Sequence, residues 1–124
     1  MNEKHLRAAD YLGHMLDAIQ QILNYTAGLD EPTYLSVRLI QDAVVRNIEI
    51  LGEAARNVRT HAPNVADAHP EVPWQDIYGM RNRLAHGYFD VNQHAVWQVV
   101  VRELPVLEPR LKAIFDELSS PSAS

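Results

Sequence analysis

Cysteine is absent from this chain of 124 residues. Its absence excludes thiol catalysis, iron–sulfur and thiolate zinc sites, and a fold held together by disulfides. No uninterrupted apolar run approaches the ~20 residues of a membrane span. The N-terminal segment MNEKHLRAAD is charged where a signal peptide would be apolar. We therefore expect a soluble protein that resides in a reducing cytoplasm.

Basic side chains are also few. The sequence has 11 Lys and Arg but 16 Asp and Glu, so its formal net charge is -5 at pH 7. This acidic balance argues against broad, sequence-independent adhesion to nucleic acid. All but two of the basic residues are arginine. Arginine is well suited to bidentate contacts with phosphate, although an arginine-rich coding bias gives the same count. A local basic site is compatible with this composition.

The composition that is present, 47% apolar and 22% charged residues, is typical of one compact domain. A chain of this length buries roughly two thirds of the surface that its unfolded form exposes, so one core is enough for stability. We expect a single helical domain over residues 1–118 and a frayed C-terminal tail over residues 119–124.

Apolar residues recur every three or four positions over most of the chain, which is the spacing of one helix face. This rhythm predicts a first helix over about residues 3–27, ended by Gly28, and a second from Pro32 to about residue 59. Residues 60–72 contain two prolines and no rhythm. We expect a loop there.

The second half of the chain predicts a short third helix from Pro73 to Gly87. Asp90 and Gln93 resemble a capping box that opens a last helix. The apolar rhythm of that helix passes through two prolines without losing phase, so we expect a kinked or twice-broken helix. The segments together predict an all-α, up-and-down bundle of four to five helices.

Charged residues on the second predicted helix fall within a sector of ~80°. We call this set the polar line: Arg38, Asp42, Arg46, Glu49, Glu53 and Arg56. Such a line is usually a solvated face of ion pairs, each contributing ~0.3 to 0.5 kcal/mol. The other interpretation is a functional wall that faces a cleft or a partner subunit. The sequence leaves both open.

Reactive side chains concentrate between residues 79 and 90. Asn82 and His86 are four residues apart and share one helix face, and Arg81 lies ~100° around the helix from Asn82. His86 belongs to the last turn before Gly87, where the helix dipole favours the imidazolium form. An imidazole beside a guanidinium is suited to binding phosphate and to transferring protons, although a capped helix end has the same residue types.

The remaining histidines give no metal-site pattern. His61, His69, His86 and His94 have no cysteine partner and no tight His-x3-His pair on one helix, so we expect neither a metal site nor a cofactor. His61 and His69 are expected to be exposed in the predicted loop. Trp74 and Trp97 are expected to anchor the core.

The string RNRLAHGYFDVN resembles the signature of the HepT-like toxins of the HEPN superfamily: an arginine, a polar residue, three variable residues, a histidine, one variable residue and a tyrosine. Arg81, Asn82, His86 and Tyr88 match this signature without a gap. Other segments resemble the same family, and they cover nearly the whole chain: HMLDAI at 14–19, YTAGL at 25–29, RNIEILGEAARNV at 46–58 and PWQDIYGMRN at 73–82.

This resemblance implies a four- or five-helix HEPN bundle that forms a homodimer or a higher homo-oligomer, with the Arg–His helices facing each other across a cleft. It also implies a metal-independent endoribonuclease, which acts as a toxin beside a minimal nucleotidyltransferase antitoxin. In that chemistry His86 takes a proton from a ribose 2′-hydroxyl, Arg81 stabilises charge on the phosphorane oxygens and Asn82 orients His86 or the phosphate. Arg81 and Arg83 are the predicted RNA-binding residues.

Tyr88 has two interpretations. It is either a tyrosine at a helix end, with its ring packed and its hydroxyl in water, or the residue to which the antitoxin of such toxins transfers AMP. An adenylated Tyr88 would add bulk and negative charge two residues from His86.

Three functions from different classes follow. The first is the ribonuclease toxin, which the intact signature favours. The second is a non-catalytic HEPN module that binds RNA or a nucleotide. The third is a helical interaction subunit that regulates its nucleotidyltransferase partner. RNA cleavage without added metal separates the first from the other two.

Overall fold

The structure is a computed structural model that describes residues 3–84 and 90–119, with side chains from Arg7 onward. In these ranges all regular structure is helical and no β-strand forms. The predicted all-α bundle is therefore confirmed. Among the described residues, no helix is long and apolar enough to cross a lipid bilayer.

The first helix, α1, spans Glu3–Thr26, close to its predicted bounds. Gly28 ends it with φ +76°, a left-handed conformation that glycine adopts without steric cost. The Leu29 amide then donates to the carbonyl of Thr26 at 3.0 Å, which closes the turn after the helix.

The predicted second helix is divided in two. The short helix α2 spans Glu31–Ser36, capped by Asp30, whose carboxylate accepts from the Thr33 amide at 2.9 Å. Val37 is extended, with φ -117° and ψ 96°. The long helix α3 then runs over Arg38–His61. Because Val37 is a single β-branched residue inside an apolar rhythm, the periodicity alone could not locate this break.

The predicted loop over residues 60–72 is wrong in part. Helix α3 continues to His61, and a short helix, α4, spans Pro63–Ala68. Pro63 is the first residue of α4. An amide hydrogen at this position would have no acceptor within the helix, so its absence in proline costs no helical hydrogen bond. Val65 and Ala66 of α4 are buried, so packing against the core supports a helix too short to show a rhythm.

The predicted third helix is also interrupted. Helix α5 spans Trp74–Tyr78 and helix α6 spans Met80–Arg83, with Gly79 between them. Residues 85–89, where this helix was predicted to end at Gly87, lie outside the described residues.

The last helical region extends from Gln93 to Ser119 without a break, so the predicted alternative of a twice-broken helix is wrong. Helix α7 spans Gln93–Gln98, a π-helical segment spans Val99–Glu103, and helix α8 spans Leu104–Ser119. The Leu104 amide donates to the carbonyl of Val99, five residues back, so the helix is locally widened. This widening directly precedes Pro105, whose ring needs space and which has no amide hydrogen to donate. The chain therefore passes both prolines without breaking.

The capping box predicted from Asp90 and Gln93 is wrong. Asn92 caps α7 instead, since its side chain accepts from the Ala95 amide at 3.1 Å. The carboxylate of Asp90 accepts from the neighbouring Val91 amide at 2.9 Å. The N-cap is thus two residues later than the sequence pattern indicated.

The core lies where α1 packs against α3 and α8. All three long helices contribute large side chains that are no more than 1% exposed: Leu12, Ile19, Ile48, Leu51, Leu104, Leu111 and Ile114. Trp74 and Trp97 are 6% and 8% exposed, so their predicted place in the core is confirmed.

His69 was predicted to be exposed, and this prediction is wrong. Its side chain is 20% exposed and lies between two carboxylates, 3.0 Å from Glu71 and 3.5 Å from Glu117. A backbone hydrogen bond and the contact with His69 lower the pKa of Glu71. His61 is exposed, as predicted.

Helices α3 and α5 approach each other closely at Gly52. A Cβ atom at this position would lie 3.1 Å from the carbonyl oxygen of Ile77 and 3.3 Å from that of Tyr78. Both are backbone atoms and cannot turn aside as a flexible side chain can. Glycine at position 52 therefore sets how near α5, and the helix α6 that follows it, lie to α3.

Gly52→Ala should lower stability, because the added methyl must push α5 outward. Overpacking costs roughly 1–3 kcal/mol, and the better helix propensity of alanine returns about 1 kcal/mol. We expect a net loss of about 1 kcal/mol and a melting temperature lower by about 4 °C in a thermal unfolding experiment.

Gly13→Ala is the matched control, since Gly13 lies inside α1 and a Cβ there would meet only Phe115 at 3.5 Å, an ordinary contact. This variant should gain up to about 1 kcal/mol. Equal effects of the two substitutions would contradict the close-approach argument.

Candidate functional site

Helix α6 directs two of the predicted site residues away from the core. Met80 and Leu84, four residues apart, are 3% and 4% exposed and anchor this segment. Arg81 and Asn82 lie between them, with Arg81 half-buried and Asn82 exposed. A helical turn held by its two apolar ends thus presents a guanidinium and an amide side by side.

Glu49 of α3 positions the guanidinium of Arg81. Oε2 of Glu49 lies 3.5 Å from Nε of Arg81, while the side chains are 43% and 31% exposed. Nε of Arg81 is fully buried and makes no hydrogen bond to any described residue. The contact is therefore an ion pair whose atoms are not aligned as a hydrogen bond. Glu49 also lies 4.0 Å from Arg46, so one carboxylate serves two guanidinium groups.

Two clefts meet at Arg81, each with a volume of about 250 to 260 Å³. The first, which we call the Arg46 cleft, is lined by Arg38, Gln41, Asp42, Val45, Arg46, Glu49, Arg81, Asp90, Val91 and Gln93. The second, the Asn82 cleft, is lined by Ile48, Glu49, Gly52, Glu53, Tyr78, Arg81 and Asn82. Glu49 and Arg81 together separate the two.

The charges at these clefts nearly balance. The Arg46 cleft has three arginines and three carboxylates in its lining, and the Asn82 cleft has one arginine and two carboxylates. Among the described residues, Arg81 is therefore a local cationic group in surroundings of mixed charge.

The far wall of the Arg46 cleft is fixed by hydrogen bonds. The Asn92 amide donates to the carbonyl of Leu84 at 2.8 Å, which ties the start of α7 to the end of α6. The Tyr34 hydroxyl donates to Gln93 at 2.6 Å, and its ring stacks on Trp97 with centroids 5.3 Å apart. Burial raises the pKa of Tyr34, so this phenol stays a neutral donor at physiological pH.

The structure places Arg81 and Asn82 in the lining of one cleft. It places Arg83 elsewhere, in a cleft between α6 and α8, where Nη2 of Arg83 lies 3.3 Å from Glu103. His86 and Tyr88 lie outside the described residues. The predicted roles of all these residues stay predictions.

The polar line combines both interpretations that the sequence left open. Arg38 pairs with Asp42 at 3.3 Å and Arg56 with Glu53 at 3.2 Å, in exposed positions typical of a solvated helix face. Glu49 differs, because it faces Arg81 on another helix. In the sequence, Glu49 is one of the six charged residues of the polar line. Only the packing of α6 on α3 distinguishes it from the other five.

Comparison with known proteins gives the same family as the residue pattern. Residues 15–114 match the family model of ribonuclease HepT-like proteins. The chain belongs to the ribonuclease HepT-like family. No solved structure is significantly similar to it.

Two curated relatives of this HepT-like chain match it over most of their length. It is 33% identical over 107 residues to "Putative RNase TTE0752" of Caldanaerobacter subterraneus subsp. tengcongensis, covering 86% of the chain and 93% of that protein. It is 32% identical over 105 residues to "Probable ribonuclease HepT" of Thermococcus cleftensis, covering 85% of the chain and 93% of that protein.

Metal-ligating side chains do not cluster in the described part of the chain. Among the side chains of residues 7–84 and 90–119, no three His, Asp or Glu residues come together as a metal ion would require. The Asn82 cleft is lined by polar groups of another kind, which include the guanidinium of Arg81, the amide of Asn82 and the carboxylate of Glu49.

Proposed function

We propose that this HepT-like protein is a metal-independent endoribonuclease that acts as the toxin of a toxin–antitoxin system. The observation that carries the proposal is the guanidinium of Arg81, held by Glu49 where two clefts meet and next to Asn82. Relatives named as ribonucleases support the same conclusion.

The reaction that suits these residues is attack by a ribose 2′-oxygen on the adjacent phosphorus. A neutral His86 accepts the proton of the 2′-hydroxyl, the new P–O bond forms, and the bond to the 5′-oxygen breaks. The 5′-oxygen leaves with a proton from an imidazolium or water. The products are a 2′,3′-cyclic phosphate and a free 5′-hydroxyl.

Arg81 stabilises the negative charge that develops on the phosphorane oxygens, and Asn82 orients His86 or the phosphate. The carboxylate of Glu49 lies beside Nε of Arg81, so the two terminal nitrogens of the guanidinium are the ones that bind phosphate in a bidentate manner. A guanidinium that is held before the substrate arrives loses less conformational freedom when it binds.

A homodimer, or a higher homo-oligomer, would supply a second His86 for the leaving oxygen. Exposed aliphatic side chains support such an assembly, because Leu39 on α3 is 80% exposed and Leu35 on α2 is 44% exposed. Large aliphatic side chains that are exposed to this degree are favourable contacts for a second copy of the chain.

In this proposal, a minimal nucleotidyltransferase antitoxin controls the ribonuclease activity. In that step the Tyr88 hydroxyl oxygen attacks the α-phosphorus of ATP, loses its proton and releases pyrophosphate, and AMP remains on the tyrosine. The added phosphate competes with RNA for Arg81, and the nucleoside occupies space near His86.

The purified protein should cleave RNA in the presence of a chelator. His86→Ala should lower the cleavage rate by about 10²- to 10⁴-fold, because the proton acceptor is lost. Arg81→Ala should lower it by about 10²- to 10³-fold. Glu49→Gln should have a smaller effect, since it keeps the guanidinium and removes only its orienting charge. Gel assays of labelled RNA measure all three.

His14→Ala is the matched control, because His14 is an exposed histidine on α1. It should cleave at the wild-type rate. A requirement for divalent ions, or full activity of His86→Ala, would refute the mechanism. RNA binding without cleavage would favour the non-catalytic HEPN module, and neither binding nor cleavage would favour the regulatory subunit.

The protein should sediment as a dimer or larger at micromolar concentration. Leu39→Glu should shift the equilibrium toward monomer, because it places a charge on an exposed aliphatic contact. Tyr25→Glu, which alters a 42% exposed tyrosine at the end of α1, is the control and should leave the assembly unchanged. A wild-type protein that stays monomeric would contradict the proposed assembly.

With a cognate nucleotidyltransferase and ATP, mass spectrometry should find one or more AMP groups on Tyr88, with loss of RNA cleavage. Tyr88→Phe should keep much of the cleavage and escape this silencing. Tyr78→Phe is the matched control, since Tyr78 is 42% exposed and lines the Asn82 cleft. It should still be modified and silenced. Silencing of Tyr88→Phe would mean that the partner inhibits by binding alone.

A further inference from the structure

A third cleft lies between α5 and α6 on one side and the π-helical segment and α8 on the other, with a volume of about 260 Å³. We call it the Arg102 cleft. Its lining residues are Pro73, Asp76, Ile77, Met80, Arg83, Arg102, Glu103, Val106, Leu107 and Arg110. The volume is slightly below the roughly 300–1,000 Å³ of typical ligand pockets, so it suits one nucleobase-sized group.

The Arg102 cleft combines an apolar floor with a cationic rim. Ile77, Met80 and Leu107 are at most 7% exposed and form the floor. The rim has three arginines against two carboxylates, whereas the Arg46 cleft has three of each. The Arg102 cleft is therefore the more favourable of these two clefts for a phosphate group.

Two of the rim arginines are already held in place. Nη2 of Arg83 contacts Glu103 at 3.3 Å, and Nη1 of Arg110 donates to the carbonyl of Glu71 at 3.0 Å. A guanidinium has five N–H donors, so each of these contacts leaves donors available for a ligand. Arg102 is exposed, and it belongs to the π-helical segment.

The π-helical segment and α8 present these side chains as a row. Arg102, Val106 and Arg110 are spaced by four residues and all line the cleft. The local widening at Val99–Glu103 sets the direction of Arg102 relative to the α8 residues that follow it. Single π turns of this kind occur frequently at functional sites.

We propose that the Arg102 cleft binds one nucleotide of an RNA chain, with its base on the apolar floor and its phosphate at the arginine rim. The proposal rests on the proposed function, since it gives the ribonuclease a second subsite. Arg81 and Arg83 are two residues apart on α6 and face different clefts. The short helix α6 thus separates the subsite for the reacting phosphate from the subsite for a neighbouring nucleotide.

The chemistry recognised is that of a nucleoside phosphate, which either an RNA chain or a free nucleotide supplies. The test therefore uses two probes: a fluorescein-labelled 2′-O-methyl RNA of about eight nucleotides, and 5′-AMP. The 2′-O-methyl chain has no 2′-hydroxyl to attack phosphorus, so its binding is measured whether or not the protein cleaves RNA. Failure of the proposed ribonuclease activity and failure of the subsite are thereby separated.

Arg102→Gln should weaken binding of the 2′-O-methyl RNA by about fivefold, as measured by fluorescence anisotropy. It should also reduce the slope of log K against log salt by about 0.7, the change expected for one lost phosphate contact to a single strand. Arg7→Gln removes the same charge from an exposed position on α1 and should change the affinity less than about twofold.

Val106 and Val101 provide a second matched pair. Val106 is 52% exposed and lines the cleft, while Val101 is 44% exposed and is not among the lining residues. Val106→Glu should weaken binding by about tenfold, because it places a carboxylate beside the bound phosphate. Val101→Glu should have little effect. Circular dichroism verifies that each variant keeps the helical fold.

Binding of the RNA probe that depends on Arg102 and Val106, with no saturable binding of 5′-AMP, supports the subsite for an RNA chain. Saturable binding of 5′-AMP that Arg102→Gln removes would overturn that assignment in favour of a free nucleotide. If both Arg102→Gln and Val106→Glu bind the RNA probe like their controls, the cleft is not a nucleotide subsite.

Discussion

The arrangement of the site depends on the close approach of α3 and α5 at Gly52, where a Cβ would lie 3.1 Å from a backbone oxygen. This approach brings the start of α6 against α3, and only then can Glu49 reach Arg81 at 3.5 Å. A larger residue at position 52 would move α5 and α6 together, since one glycine alone separates them. The close backbone contact at Gly52, which has no chemical role itself, thus determines where the guanidinium of Arg81 lies.

In this acidic chain, arginine side chains near the clefts form ion pairs with carboxylates. Glu49 is shared by Arg46 and Arg81, and Glu103 pairs with Arg83. Such partly exposed pairs contribute little to stability, typically 0–1 kcal/mol, but they restrict where each guanidinium can point. Restricted arginines in small clefts favour binding of individual phosphates, whereas a net charge of -5 disfavours adhesion along a whole nucleic acid. Both properties suit a nuclease that acts at particular positions of an RNA.

Local breaks were the least predictable part of the fold. Val37 divides the predicted second helix, and Pro63 opens a helix where a loop was predicted. In both cases the deciding interaction is burial against residues distant in the chain, as for Tyr34, which stacks on Trp97 and bonds to Gln93. The π-helical segment is similar: the prolines indicated a disturbance, but the helix resolves it by widening ahead of Pro105.

The sequence by itself determined the helical class, the three long apolar faces and the Arg81–Asn82 pair, because these depend on residue spacing within one helix. It also indicated the family, through motifs that are each a short contiguous segment. Only the tertiary structure decided that Glu49 of the polar line forms an ion pair with Arg81, and that Arg83 lines a different cleft together with Arg102 and Arg110. Glu49 and Arg81 are 32 residues apart in the chain, and Arg83 and its partner Glu103 are 20 apart. No periodicity within one helix specifies which of its exposed charges a second helix will meet.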